Sequence, residues 1–149
     1  MSARVKAFLD MIAKSEGTAG HGEDGYNILV GYGRFKSYAD HPRRLIEIER
    51  LKIKSTAAGR YQILQGIYDH YAKKLGLKDF SPASQDAIAI ELIRERGAIA
   101  LIEAGKIPEA VNRVRRIWAS LPNAGYGQNE HSIQRVLGWY NDALKARTA

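Results

Sequence analysis

Strand-like and helix-like patterns in this sequence do not mix, and that separation is the strongest limit on its fold. Every stretch with strand character lies between residues 25 and 55. Within Tyr26 to Tyr38, aromatic and β-branched residues broken by Gly31 and Gly33 predict a short hairpin. Leu51-Lys52-Ile53-Lys54 alternates apolar and basic side chains, as a half-exposed strand does. Helical periodicity occupies both sides. Val5, Phe8, Leu9 and Ile12 predict an amphipathic helix over 3–15 that stops at Gly17. Segregated elements of this kind predict an α+β fold. The expected arrangement is a small sheet lobe over about 17–58, set against a helical lobe over about 59–149 that also takes the first helix, as one domain. A cleft between two such lobes suits an extended ligand.

Beyond Gly59 the helical pattern runs to the end of the chain. Tyr61, Leu64, Tyr68, Tyr71 and Leu75 predict one helix, closed at Gly76. Ser81-Pro82 is an N-cap followed by proline at the first helical position, and that helix should reach Arg96 before Gly97. A short helix from Ala98 to Ala104 stops at Gly105, and Pro108 opens the next, with Val111, Val114, Ile117 and Trp118 facing inward. Pro122, Gly125 and Gly127 make 121–128 a loop, and Ile133, Leu137, Tyr140 and Leu144 mark the closing helix.

Composition removes several function classes. With no cysteine, there are no disulfides, thiolate metal sites or thiol nucleophiles. The four histidines are scattered, most of them at expected surface or loop positions, and none forms the i, i+4 pair with a glutamate that marks a helical zinc site, so neither a metal nor another cofactor is expected. The glycine spacing matches no phosphate-binding fingerprint, and no Gly-x-Ser-x-Gly elbow is present. The N-terminus lacks a secretory signal pattern and no apolar run is long enough to cross a bilayer, so synthesis in the cytoplasm and no stable membrane association are expected. A net charge of +7 draws the chain toward a polyanion, whether nucleic acid, anionic membrane or acidic cell wall.

Three features could carry chemistry. Glu16 closes an amphipathic helix beside Gly17, where the negative end of the helix dipole disfavours an ionised carboxylate. With burial, such a place raises a carboxyl pKa and keeps a proton ready for general acid catalysis. Ser55-Thr-Ala-Ala-Gly-Arg-Tyr-Gln62 runs from small residues into what reads as a helix start. Its free N–H groups, with the Tyr61 ring and the Gln62 amide, could meet sugar rings and acetamido groups. In Leu121-Pro-Asn-Ala-Gly-Tyr-Gly-Gln-Asn129, Tyr126 is flanked by glycines and should be exposed or line a groove. Asp40-His41-Pro42-Arg43 reads as a turn with Asp40 bonding the local backbone.

Taken in order, these segments resemble the lambda-type phage endolysins, lytic transglycosylases grouped as glycoside hydrolase family 104. The resemblance is carried by Lys6-Ala-Phe-Leu-Asp-Met11, Ser15-Glu-Gly-Thr18, Tyr38 with Asp40-His-Pro-Arg43, Lys54-Ser-Thr56 and Ala58-Gly-Arg-Tyr-Gln62. It continues through Leu75-Gly-Leu-Lys-Asp-Phe-Ser-Pro82, Glu95-Arg-Gly-Ala98 and Ile117-Trp-Ala-Ser-Leu-Pro122 into Ala124-Gly-Tyr-Gly-Gln128. Residues 19–37, which look shorter than in the family, and the last helix match least.

The resemblance implies a lysozyme-like fold and cleavage of the β-1,4 bond between N-acetylmuramic acid and N-acetylglucosamine in peptidoglycan. It places the catalytic acid on Glu16. Ser15, Ser55, Tyr61, Gln62, Tyr126 and Gln128 are the expected sugar-binding wall. It further implies a phage origin, a monomer, and release from the host cytoplasm to the cell wall through a holin. Two other readings stay open. A hydrolytic muramidase would pair Glu16 with Glu23, Asp24 or Asp40. A basic nucleic-acid-binding domain would use Lys52, Lys54, Arg113, Arg115 and Arg116 on phosphates.

Overall fold

The structure, a computed structural model, describes residues 1–126 and 130–149. The chain forms two compact units, one of residues 1–17 with 90–149, the other of residues 18–89. The second takes in more than the predicted sheet lobe, because the helix after Leu64 and the start of the next belong to it.

The first unit is built on α1 (Ala3–Glu16), whose Ser2 cap accepts from the Val5 N–H and whose end turns at Gly17 with φ 78°. Only glycine takes that left-handed geometry at little cost, so the chain reverses there as the sequence predicts. Val5, Ala7, Phe8, Leu9, Met11, Ile12 and Ala13 are all buried, so α1 is covered on nearly every face. The later helices of this unit are α4 (Ile99–Glu103), α5 (Ile107–Val114) and α6 (Ile133–Thr148). Helix α6 packs along α1, with Val136 and Tyr140 buried, and Arg147 clamps Asp10 through two nitrogens at 2.6 and 3.0 Å. In α5 the buried face is Ile107, Ala110, Val111 and Val114. Trp118 is buried as predicted but sits beyond the helix end, and Ile117 is only half-buried.

The second unit holds the strands β1 (Ile46–Ile48) and β2 (Ile53–Ser55), antiparallel, with Ile46 opposite Ser55 and Ile48 opposite Ile53. A single 3₁₀ turn (Glu49–Leu51) and Lys52 at φ 53° join them. The predicted strand at 51–54 therefore starts two residues late, because Leu51 and Lys52 make the turn. The predicted hairpin within 26–38 is reduced to a single antiparallel bridge between Ile28 and Arg34, flanked by Leu29 N–H to the Gly33 carbonyl at 2.6 Å and Phe35 N–H to the Asn27 carbonyl at 2.9 Å, and Leu29 also bridges Ala58. Helix α2 (Gln65–Leu75) ends at Gly76 in the left-handed conformation, and α3 (Pro82–Glu95) starts on Ser81, whose hydroxyl accepts from the Ser84 N–H at 3.2 Å.

The predicted helix start at Arg60-Tyr61-Gln62 is a tight turn instead. Ala58 and Ile63 bond to each other across it in both directions, at 3.1 and 2.8 Å. Its organiser is Gln85 on α3, fully buried, whose Oε1 accepts from the Arg60 N–H at 2.9 Å. The same amide donates to the Tyr26 and Phe80 carbonyls at 3.0 and 2.9 Å, so all three of these bonds are made by one side chain. Gly59 lies at φ 80°, and a Cβ there would come within 2.2 Å of Gln85 Oε1. Gly59→Ala should therefore strain the backbone and displace the buried amide together, lowering unfolding free energy by about 2–4 kcal/mol. Urea denaturation monitored by circular dichroism measures this.

Candidate active site around Glu16

The end of α1 places an acid in a half-buried position beside a loop that follows α5. Ser120 donates a short hydrogen bond from its hydroxyl to Glu16 Oε2. Ser15 is buried, and its Oγ lies 2.7 Å from Ser120 Oγ. His131 fixes both partners. Its backbone N–H donates to the Ser120 carbonyl at 2.9 Å, and its ring Nε2 meets the Ser15 carbonyl at 3.1 Å. A carbonyl only accepts, so Nε2 carries the proton in this contact. Trp139 of α6 holds the imidazole edge to face, with ring centroids 4.9 Å apart.

Burial pushes the Glu16 carboxyl from 4.5 up to about 7, against the lowering pull of the Ser120 hydrogen bond. The sequence pointed to the helix dipole as one reason for such a shift. Removal from water is the leading cause instead, and it is the larger effect on general grounds: desolvation moves a carboxyl by units, a helix terminus by fractions of one. An acid with this value is partly protonated near neutrality, where a general acid works best.

The other predicted site residues fall in different surroundings. Tyr61 is only 1% exposed. Its hydroxyl donates to Asp86 Oδ1 at 2.6 Å and Arg60 lies against its ring. That burial corrects the idea of Tyr61 as a free stacking face for a sugar; the ring is a framework element. Burial and the Asp86 carboxylate together push its hydroxyl pKa upward. Gln62 stands at φ 51°, and its amide donates to the Gly59 carbonyl at 2.9 Å, bracing the turn. Ser55, half-buried at the end of β2, accepts from the Ala57 N–H at 3.1 Å. Tyr126 is exposed, as predicted, with its hydroxyl donating to the Arg116 carbonyl at 2.6 Å. Gln128 lies outside the described residues.

The acids offered as a second carboxylate each have an occupation in their own unit. Glu23 accepts the Tyr38 hydroxyl at 2.5 Å. Asp24 accepts from the Gly20 N–H at 2.9 Å and sits 3.5 Å from the Arg60 guanidinium. Asp40 takes two nitrogens of Arg43 at 2.7 and 3.2 Å. His41, grouped by sequence with surface and loop histidines, is buried in its turn. Nε2 donates to the Ile63 carbonyl at 2.8 Å and Nδ1 accepts from the Arg43 N–H at 3.0 Å, while burial holds its pKa low. It is a neutral structural imidazole.

Sequence reasoning missed Ser120 and His131, although Ala119-Ser-Leu-Pro122 stood inside a quoted motif. Nothing local marks a serine as the partner of an acid 104 positions away.

A family model described as Endolysin matches residues 6–146. The chain belongs to the endolysin family. It is 51% identical to the endolysin of Escherichia phage lambda over 142 residues, covering 93% of this chain and 89% of the relative. It is equally 51% identical to the endolysin of Escherichia phage P2 over 145 residues, covering 89% and 88%. Bacteriophage lambda lysozyme complexed with a chitohexasaccharide superposes with a TM-score of 0.93 at 49% identity, over 96% of this chain and 95% of that one. A second lambda lysozyme structure gives 0.88 at 48% identity, with the same coverage. The α+β architecture is thus lysozyme-like, and this endolysin is an enzyme that degrades peptidoglycan.

Holding an acid whose folded pKa exceeds its unfolded one has a sign for stability. Between 4.5 and about 7 the folded state keeps the proton that the unfolded chain releases, so stability is lost as pH rises through that window. Glu16→Gln, neutral at every pH, should gain on the order of 2–3 kcal/mol over wild type at pH 8, and little at pH 4. Thermal melts at the two pH values give the comparison.

Proposed function

We propose that this endolysin is a lytic transglycosylase, with Glu16 acting first as acid and then as base. The observation that carries the reading is a single carboxyl group held near neutrality by burial at the end of α1. Glu16 donates its proton to the glycosidic oxygen as the bond to C1 of N-acetylmuramic acid breaks, and C1 gains oxocarbenium character. The carboxylate left behind accepts the proton of the same sugar's C6 hydroxyl, and O6 closes onto C1. The products are a 1,6-anhydro-muramyl end and a free N-acetylglucosamine hydroxyl, with no water consumed.

Support comes from three sides. Glycosidases that hydrolyse through two carboxyl groups place them about 5–9.5 Å apart, depending on stereochemistry. The three acids weighed for that second role are engaged with Tyr38, Arg60 and Arg43. An intramolecular hydroxyl is a nucleophile of high effective concentration, so activating an external water becomes unnecessary. The chitohexasaccharide in the lambda lysozyme complex is a β-1,4-linked N-acetylglucosamine chain, chemically close to the glycan strand we assign as substrate.

The word lysozyme in the solved relatives keeps hydrolysis as the second reading, with Glu16 again the acid. Among the described residues, no helix is long and apolar enough to cross a membrane. Action as a monomer, on cell-wall glycan reached through a holin from the host cytoplasm, completes the proposal.

Digestion of purified peptidoglycan followed by mass spectrometry tests it: anhydro-muramyl ends are expected, and muramyl ends heavier by one water would replace the mechanism with hydrolysis. Glu16→Gln should lower the rate at least about 100-fold with the fold intact. For the wild type, kcat/KM should fall as pH rises through about 7, where Glu16 loses its proton.

A further inference from the structure

A residue that serves as acid and then as base must keep one geometry in two protonation states, and the groups around Glu16 Oε2 offer a way to do so. Ser120 Oγ bonds Glu16 Oε2, and Ser15 Oγ lies 2.7 Å from Ser120 Oγ. Each hydroxyl has one proton to give and can accept as well. With Glu16 ionised, its oxygen can only accept, so the Ser120 proton points at Glu16, and Ser120 is free to accept the proton of Ser15. With Glu16 protonated on Oε2 in the resting enzyme, the acid can donate to Ser120, whose own proton then turns toward Ser15 while the hydrogen of Ser15 rotates away. The bond from Glu16 to Ser120 is given up as the acid's proton passes to the glycosidic oxygen, and Ser120 turns back to donate to the carboxylate. Both arrangements keep the same heavy-atom positions. Only the direction of the chain reverses.

We infer that Ser120 and Ser15 form a reversible hydroxyl chain that positions Glu16 in both halves of its catalytic cycle, with His131 as the latch that holds the two serines in register. The latch is legible in the contacts. His131 bonds the Ser120 carbonyl with its backbone N–H and the Ser15 carbonyl with its ring, tying the 120 loop to the end of α1. Ser15 is buried, so its hydroxyl is screened from exchange with bulk water and Ser120 remains its polar neighbour. Trp139 packs edge-on against the imidazole and restricts its rotation. Ser120 and Ser15 are positioning residues: they act through Glu16 and exchange no atom with the substrate.

The inference rests on Glu16 being the catalytic acid, and its test separates the two claims. The alkaline limb of the kcat/KM profile on purified peptidoglycan is measured for wild type, Ser120→Ala, Ser120→Thr, Ser15→Ala and Glu16→Gln, with circular dichroism confirming the fold of each. The Ser120 bond favours the ionised carboxylate, so Ser120→Ala should shift the limb upward by roughly one pH unit. It should also lower kcat by about tenfold or more, with KM changed less than about twofold. Ser120→Thr keeps a hydroxyl and should restore the wild-type limb. Ser15→Ala should move it in the same direction by a smaller amount. If Ser120→Ala does not fold, Ser120→Thr and Ser15→Ala decide. An unmoved limb in Ser120→Ala, or in Ser15→Ala when that variant decides, overturns the hydroxyl chain. Activity retained by Glu16→Gln overturns the assignment of the acid itself, whatever the serine variants do.

Discussion

The carboxyl group of Glu16 is largely withdrawn from water at the end of α1, and among the described residues it takes a hydrogen bond from the hydroxyl of Ser120, 104 positions further along the chain. Desolvation raises the cost of ionising it, and the hydrogen bond returns part of that cost. The balance leaves the pKa near neutrality, which neither influence would achieve alone. A fully exposed glutamate would be ionised and useless as an acid, whereas one buried without a partner would hold its proton too firmly to act later as a base. The unit around α1 therefore has to meet two demands at once: to cover the helix, and to bring a hydroxyl to its last residue. Packing of α6 along α1, with Arg147 on Asp10, meets the first, and the His131 contacts meet the second.

The unit of residues 18–89 solves a different problem with similar means. Its loops carry many polar groups but little regular structure to satisfy them. One buried amide, Gln85, joins three separate backbone segments, and Asp86 beside it takes hydroxyls from Tyr26 and Tyr61 at 2.9 and 2.6 Å. Two adjacent residues of α3 thus anchor both the glycine-rich segment and the turn at Gly59. A buried polar network of this sort specifies one arrangement strongly, because each broken bond leaves a desolvated group behind.

What could be read from sequence divides along the range of the interactions. The helix ends at Gly17 and Gly76 are legible because a left-handed residue at a helix terminus is a local demand. Glu16 is legible as an oddity for the same reason, and the family motifs around it give it meaning. The sequence predicts a helix start at Arg60 because the periodicity of Tyr61, Leu64 and Tyr68 continues through the turn. Gln85 and Thr18, both distant in sequence, take up the Arg60 N–H and carbonyl and hold it in a turn rather than a helix. The burial of Tyr61 likewise depends on a distant residue, Asp86, which accepts its hydroxyl. Between Tyr26 and Tyr38 the strand propensity is real, but it yields only one bridge, Ile28 with Arg34, and the segment pairs as well with distant Ala58 through Leu29. Ser120 and His131 were invisible for want of any local signature.

The separation between Glu16 and its partners also has a meaning in the order of synthesis. A ribosome makes α1 before Ser120, His131 and α6. Until those late segments arrive, the nascent chain carries Glu16 in water, as an ionised side chain like any other. The proton that would let it attack glycan is acquired only when those later segments have folded back onto α1. Chemical competence thus comes well after the acid itself is made, and a translation product interrupted before Ser120 carries the acid without the acidity.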